Sequence, residues 1–214
     1  MFDLYVVTDS ALSGGLPDSE VARRAYEGGA DAVQLRMKGA PGGEMLRQAR
    51  IIKGIADSMS RLFIVNDRAD VALLSEADGV HLGRSDVPIE DARGMLGEHM
   101  IIGASVHSVE EAEEAAEAGA DYLSVGSVFR TGTKGDAIQG LGLGPVFEIK
   151  RSVGLPLVAI GGINLGNVRE VIRAGADSAA VASAVVSKPD IAKAAREMRD
   201  AILKARIISD IPVR

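Results

Sequence analysis

The feature that most constrains the fold of this chain is an alternation. Short apolar, β-branched runs recur eight times, each followed by a longer segment with helical spacing. The runs that read as strands are Leu4–Thr8, Ala32–Met37, Leu62–Asn66, Gly79–Leu82, Ile101–Val106, Tyr122–Val128, Leu157–Ile160 and Ala179–Val185. They show no clean period-two pattern, as is usual for parallel strands covered on both faces. In the intervening segments, Ser108 and Glu111 stand at capping-box spacing, and Pro189-Asp190 opens the last helical stretch. An internal echo accompanies the alternation: Gly29-Ala30-Asp31, Gly119-Ala120-Asp121 and Gly175-Ala176-Asp177, with Glu76-Ala77-Asp78-Gly79 as a weaker fourth copy. Each lies between a helical run and an apolar one, where a tight helix-to-strand turn is needed. The copies are too irregularly spaced for a solenoid. With no linker or break in composition, residues 1–214 read as one domain, a single α/β (β/α)8 TIM barrel. The alternative is an open doubly wound sheet. However, Val7-Thr8-Asp9-Ser10 follows the first strand where a dinucleotide fold would carry its glycines.

Composition narrows the function classes. The chain is 47% hydrophobic and 25% charged, enough to bury a core. It has no cysteine, which excludes disulfides, thiolate zinc sites, iron–sulfur clusters and a cysteine nucleophile. A formal net charge of −6 argues against a nucleic-acid partner, so an anionic ligand must be held by a local cluster of donors. No basic leader precedes the first apolar run, and no uncharged stretch approaches the roughly 20 residues that span a bilayer. A cytoplasmic protein without a membrane partner is expected. Whether copies assemble into a homo-oligomer is left open.

In parallel α/β folds ligands bind at the carboxyl ends of the strands. Polar residues gather there: Gln34, Arg36 and Lys38; Asn66 and Asp67; Asp86; Ser105 and His107; Arg130 to Lys134; Gly161 to Asn164; Ala182 and Ser183. Two chemistries fit them. Asp67 and Asp86, from neighbouring strands, can converge on one hard cation such as Mg2+, which typically takes one or two protein carboxylates. Arg36, Lys38 and Lys134 would then neutralise phosphate groups, with Asn66 and hydroxyls as neutral donors. The blander reading makes each acid a helix cap or salt-bridge partner, and Arg36 and Lys38 rim charges on one strand face. The second chemistry is a monophosphate pocket after strands seven and eight, at Gly161-Gly162 and Ala182-Ser183; otherwise the glycines simply turn the chain. His81 reads as a buried structural residue, His99 as exposed, and His107 as a rim residue able to shuttle protons. No two histidines have zinc-ligand spacing.

At these residues the chain resembles the thiamine-phosphate synthase family. The motifs are Gln34-Leu35-Arg36-Met37-Lys38, Val65-Asn66-Asp67-Arg68, Asp78-Gly79-Val80-His81-Leu82-Gly83 with Asp86, Gly103-Ala104-Ser105-Val106-His107, Thr131-Gly132-Thr133-Lys134, Ala159-Ile160-Gly161-Gly162-Ile163 and Ala174-Gly175-Ala176-Asp177. Their order along most of the chain is specific, although each piece is short. The resemblance implies a (β/α)8 barrel that joins 4-amino-2-methyl-5-(diphosphooxymethyl)pyrimidine to the phosphate of 4-methyl-5-(2-hydroxyethyl)thiazole, or its carboxylated form, releasing diphosphate. It implies that Asp67 and Asp86 ligate Mg2+ and that Gln34 holds the pyrimidine ring. Arg36, Lys38, Asn66, Ser105 and Lys134 would hold the diphosphate, with Arg36, Ser105 and Lys134 catalytic. Thr131, Gly132, Thr133, Gly162, Ala182 and Ser183 would hold the thiazole phosphate. The chain departs from the family pattern at Met37, Ser127, Ala182 and in Gly135–Gln139, where an Arg is often found. The rival readings are a thiazole tautomerase-like isomerase using His107 and a non-catalytic sensor of the thiazole phosphate. A lid in the Gly-rich span from Gly132 to Gly144 is a further expectation.

Overall fold

The computed structural model of the protein describes residues 2–131 and 140–209. Strands β1 (Leu4–Val7), β2 (Ala32–Leu35), β3 (Leu62–Asn66), β4 (Gly79–Leu82), β5 (Ile101–Val106), β6 (Tyr122–Gly126), β7 (Leu157–Ile160) and β8 (Ser178–Val181) pair in parallel in chain order. The barrel closes where β8 returns to β1, with Tyr5 opposite Ala180. Around it lie α1 (Asp18–Glu27), α2 (Gly42–Ser58), α3 (Ala69–Leu74), α4 (Ile89–Leu96), α5 (Val109–Glu117), α6 (Gly144–Ser152), α7 (Val168–Arg173), α8 (Ser183–Val186) and α9 (Ile191–Ser209). This is the closed (β/α)8 architecture expected from the alternation.

Four strands are shorter at their carboxyl ends than their apolar runs. The run Ala179–Val185 divides into strand, then a turn at Ala182, then the single helical turn of α8. Periodicity alone cannot separate a buried strand from a buried helical turn in so short a run. β2 stops at Leu35, so Arg36 and Lys38 lie in the following loop and not on one strand face.

Side chains alternate across the barrel wall. Val33, Leu35, Phe63, Val65, Val80, Leu82, Leu123 and Val125 point outward into the main core beneath the helices. The inward set is layered along the axis. Its lower layer is apolar, with Phe2, Tyr5, Ala32, Ile64, Tyr122, Val158 and Ala180 packed together. Above them, one residue on further along the same face, come Gln34, Asn66, His81, Ser105 and Ser124, which border the open end. Layering of this kind follows from strand tilt in a closed barrel.

The sequence echo has a structural basis at the amino ends of the strands. Each of its aspartates forms a reciprocal pair with the first or second residue of the strand before it. The Asp N–H donates to that residue's carbonyl, and the Asp carboxylate accepts from the same residue's N–H. The distances are 3.0 and 3.1 Å for Asp31 with Leu4, and 3.0 and 2.8 Å for Asp78 with Phe63. They are 2.7 and 2.7 Å for Asp121 with Ile102, and 2.8 and 2.8 Å for Asp177 with Leu157. A cation backs each carboxylate: Arg61, Lys53, Arg93 and Lys150 respectively, at 2.6–3.0 Å. The turn before each Asp needs a left-handed residue, supplied by Gly29, Gly119 and Gly175 at φ 96°, 97° and 107°. Glu76 occupies the same position at φ 55°, so the apparently weaker fourth copy is a full structural one. The helix caps differ in detail from a full capping box. Ser108 accepts from the Glu111 N–H, but the Glu111 carboxylate accepts from the N–H of His107, one residue further out. The last helix opens after Pro189-Asp190 as expected, with Asp190 as its cap, accepting from the Lys193 N–H.

Two substitutions test this account. Glu76→Gly relieves a left-handed non-glycine residue, and the unfolding free energy from denaturant titration should rise by about 0.5–1 kcal/mol. Asp177→Ala leaves the buried Leu157 N–H and Lys150 without their partner and should cost about 2–3 kcal/mol.

Candidate active site

The carboxyl ends of the strands surround a cavity of about 370 Å³. Gln34, Arg36, Lys38, Asn66, Asp67, Asp86, Ser105, Thr131, Gly162, Ala182 and Ser183 all line it. Gly132, Thr133 and Lys134, and most of the span expected to form a lid, lie outside the described residues.

One side of the cavity is charged. Asp67 follows directly on the end of β3 in the left-handed region, at φ 64°, and its N–H donates to the His81 carbonyl at 2.9 Å. Asp tolerates this conformation better than most residues, at a cost on the order of 1 kcal/mol. The Asp67 carboxyl meets that of Asp86, which in turn accepts from the Gly83 N–H at 2.7 Å. Partial burial pushes the Asp67 carboxyl above the usual carboxylate range. The neighbouring Asp86 pushes it further, while Lys38 and Arg36 pull it back. Lys38 stands 3.9 Å from Asp67 with a largely exposed side chain. Arg36 is held more firmly. Its N–H donates to the Thr8 hydroxyl at 3.2 Å and its guanidinium to Asp9 at 3.1 Å. The blander reading of Asp86 as a helix cap does not hold: Pro88 occupies the cap position of α4, and the Asp86 carboxylate instead closes its own loop through the Gly83 N–H. Among the described residues no cluster of three or more His, Asp or Glu forms. A metal at this site would rest on the two facing carboxylates, a hard oxygen set suited to an ion that keeps much of its water.

The opposite side is mostly neutral. Gly161 and Gly162 have φ 101° and 66°. A Cβ at Gly161 would lie 2.5 Å from Ser127, and one at Gly162 2.7 Å from the Arg130 carbonyl. Contact with the loop after β6 therefore dictates both glycines, whatever they bind. The chain then passes from β8 through Ala182 into α8, which brings Ser183 to the cavity.

Several lining residues were not singled out from the sequence. Asp9 anchors Arg36, and the signal for it was available, since it ends the first strand as the other candidates end theirs. Tyr5 and Ser124 also line the cavity. His81, expected from the sequence as a buried structural residue, is buried and also lines the cavity floor. His107 lies at the exposed rim, with its ring Nδ1 3.0 Å from Glu111.

A closed parallel barrel that gathers paired acids, fixed bases and glycine-lined loops at its carboxyl end is a (β/α)8-barrel enzyme equipped for anionic ligands. Comparison with known proteins narrows the class. A family model described as thiamine monophosphate synthase matches residues 4–185. A thiamine-phosphate synthase of Methanoculleus marisnigri is 50% identical over 205 residues, 96% of this chain and 97% of the relative. One of Methanoregula boonei is 50% identical over 204 residues, 95% and 94% of the two chains. The solved structure of a thiamine phosphate pyrophosphorylase from Pyrococcus furiosus superposes with a TM-score of 0.87 at 46% identity, covering 95% of this chain and 96% of that one. The chain belongs to the thiamine monophosphate synthase family.

The raised Asp67 carboxyl has a stability consequence. A carboxyl that prefers its proton when folded costs stability above its folded pKa, and the cost disappears below the ordinary aspartate range. Asp67→Asn should therefore raise the Tm of chelator-treated protein at neutral pH in thermal scans. The gain should vanish near pH 3 in the same thermal scans.

Proposed function

We propose that the chain condenses 4-amino-2-methyl-5-(diphosphooxymethyl)pyrimidine with the phosphate of 4-methyl-5-(2-hydroxyethyl)thiazole, forming thiamine phosphate and diphosphate, as the relatives' names suggest. The observation that carries this reading is the Asp67–Asp86 pair beside Arg36 and Lys38 in a cavity that extends to Gly162 and Ser183. An isomerase acting on the thiazole phosphate alone would have no use for that acid–base wall.

In this reading Gln34 receives the aminopyrimidine ring on the cavity floor. Arg36, Lys38, Asn66 and Ser105, with Lys134, hold the diphosphate end. Asp67 and Asp86 would hold Mg2+, which when bound supplies positive charge against the departing diphosphate. The bond between the pyrimidine methylene and the bridging oxygen breaks with both electrons going to the diphosphate, leaving a cation delocalised into the aminopyrimidine. Arg36, fixed between Thr8 and Asp9, faces the charge that develops on the leaving group without having to reorganise. The thiazole nitrogen then donates its lone pair to the methylene carbon. Thr131, Gly132, Thr133, Gly162, Ala182 and Ser183 hold the thiazole phosphate, so the nitrogen is delivered along one approach. No proton is transferred in the net reaction, and no protein nucleophile is needed.

Mixing both substrates should release diphosphate only when Mg2+ is present, as followed directly by 31P NMR or by chromatography of the thiamine phosphate formed. Full turnover in excess chelator would overturn the magnesium assignment, and no product with Mg2+ would overturn the reaction. Asp67→Ala should lower kcat/KM at least tenfold, about 1.4 kcal/mol, with an unchanged circular dichroism spectrum.

A further inference from the structure

Beneath the cavity, a chain of hydrogen bonds crosses the barrel interior and uses groups to which the proposed reaction assigns no part. Gln34 Nε2 donates to the Tyr5 hydroxyl at 2.8 Å. The Tyr5 and Tyr122 hydroxyls are 3.2 Å apart, and Tyr122 is 2.9 Å from His81 Nδ1. His81 Nε2 is 2.9 Å from Ser105 Oγ. Both ends, Gln34 and Ser105, line the cavity. We propose that Tyr5, Tyr122 and His81 are positioning residues: a directional relay that turns the Gln34 carbonyl and the Ser105 hydroxyl proton toward the substrate.

The direction follows from counting hydrogens. Gln34 donates to Tyr5, so the Tyr5 oxygen is already an acceptor and its own proton needs a partner. Tyr5 is 1% exposed, and among the described residues its hydroxyl bonds only to Gln34 and Tyr122. If Tyr122 donated to Tyr5, the Tyr5 proton would be buried with no acceptor, a costly arrangement. Tyr5 therefore donates to Tyr122, Tyr122 donates to His81 Nδ1, and His81 carries its proton on Nε2. That proton goes to Ser105, whose own hydroxyl proton is then directed into the cavity, where an anionic diphosphate needs donors. At the other end, committing the Gln34 amide NH2 to Tyr5 leaves its carbonyl as the acceptor on the cavity side. That polarity matches a ring amino group and opposes a ring carbonyl. Burial pushes both phenols upward, so each keeps its proton.

The relay is rigid. Phe2 meets Tyr5 edge-on at 5.1 Å and Tyr122 at 5.8 Å, while His81 stacks on Tyr122 at 5.6 Å. Gly103 leaves room for the Tyr122 ring, since a Cβ there would fall 2.0 Å from Tyr122 Cζ.

The inference rests on the proposed condensation for its kinetic consequence but not for its spectroscopic one. In protein labelled with 15N-histidine, the His81 signal, assigned by its loss in His81→Gln, should show a protonated Nε2 and an unprotonated Nδ1. Tyr122→Phe should convert it to a mixture of tautomers and lower kcat/KM for the pyrimidine diphosphate about tenfold, with KM for the thiazole phosphate within twofold. Tyr5→Phe should keep the His81 signature and raise KM for the pyrimidine diphosphate about tenfold. A wild-type His81 protonated on Nδ1 would overturn the relay. So would wild-type kinetics in the folded Tyr122→Phe and Tyr5→Phe variants. If Tyr122→Phe fails to fold, the wild-type spectrum and Tyr5→Phe decide the question. Absence of turnover in the wild type would refute the condensation while the tautomer still tests the relay.

Discussion

The structure depends on the closure of eight short parallel strands, which forces every second side chain into a narrow common interior. The interior must be filled, and a barrel of this size leaves room for few large groups. Phe2, Tyr5 and Tyr122, three of the chain's seven phenylalanines and tyrosines, fill its lower part. Above them the fill turns polar. Polar groups in such a place cost free energy unless they are paired, so the floor of the cavity is built as a connected network rather than as separate side chains. Function and closure meet at the same layer.

The two ends of the barrel carry opposite energetic characters. At the amino ends every echo aspartate has its backbone partner and its cation. At the carboxyl ends Asp67 adopts a left-handed backbone and faces a second acid. The ordered base tolerates unfavourable local terms at the mouth, as expected where stability and chemistry are divided between the two faces of a barrel. The overall charge of −6 matters less than this local placement, because Arg36 and Lys38 stand beside the acids.

Much of this could be read from the sequence, for identifiable reasons. Strand order followed from the alternation, since in-order parallel pairing needs only repeated crossovers. The residues at the carboxyl ends were visible because polar groups there interrupt apolar runs, and Gln34, Asn66 and Ser105 do line the cavity. Other features were hidden. The runs seemed to lack period two because outward and lower inward positions are both apolar. At most one polar residue per strand, such as His81 between Val80 and Leu82, marks the inward face, and β7 has none. Glu76 masked the fourth turn because its side chain is not the one the conformation favours. The pairing of Tyr5 with Tyr122 joins residues 117 positions apart, and no local pattern signals it.

The aspartate pairs at the base also bear on how such a chain finds its fold. They join residues 27, 15, 19 and 20 positions apart. Each fastens an even-numbered strand to the odd-numbered one before it, so two strands and the helix between them form a unit with a small loop-closure cost. The pairing of β1 with β8 joins residues from opposite ends of the chain and gains nothing until the intermediate strands are aligned. A polypeptide assembled this way can nucleate independently in four places and seal its circumference last.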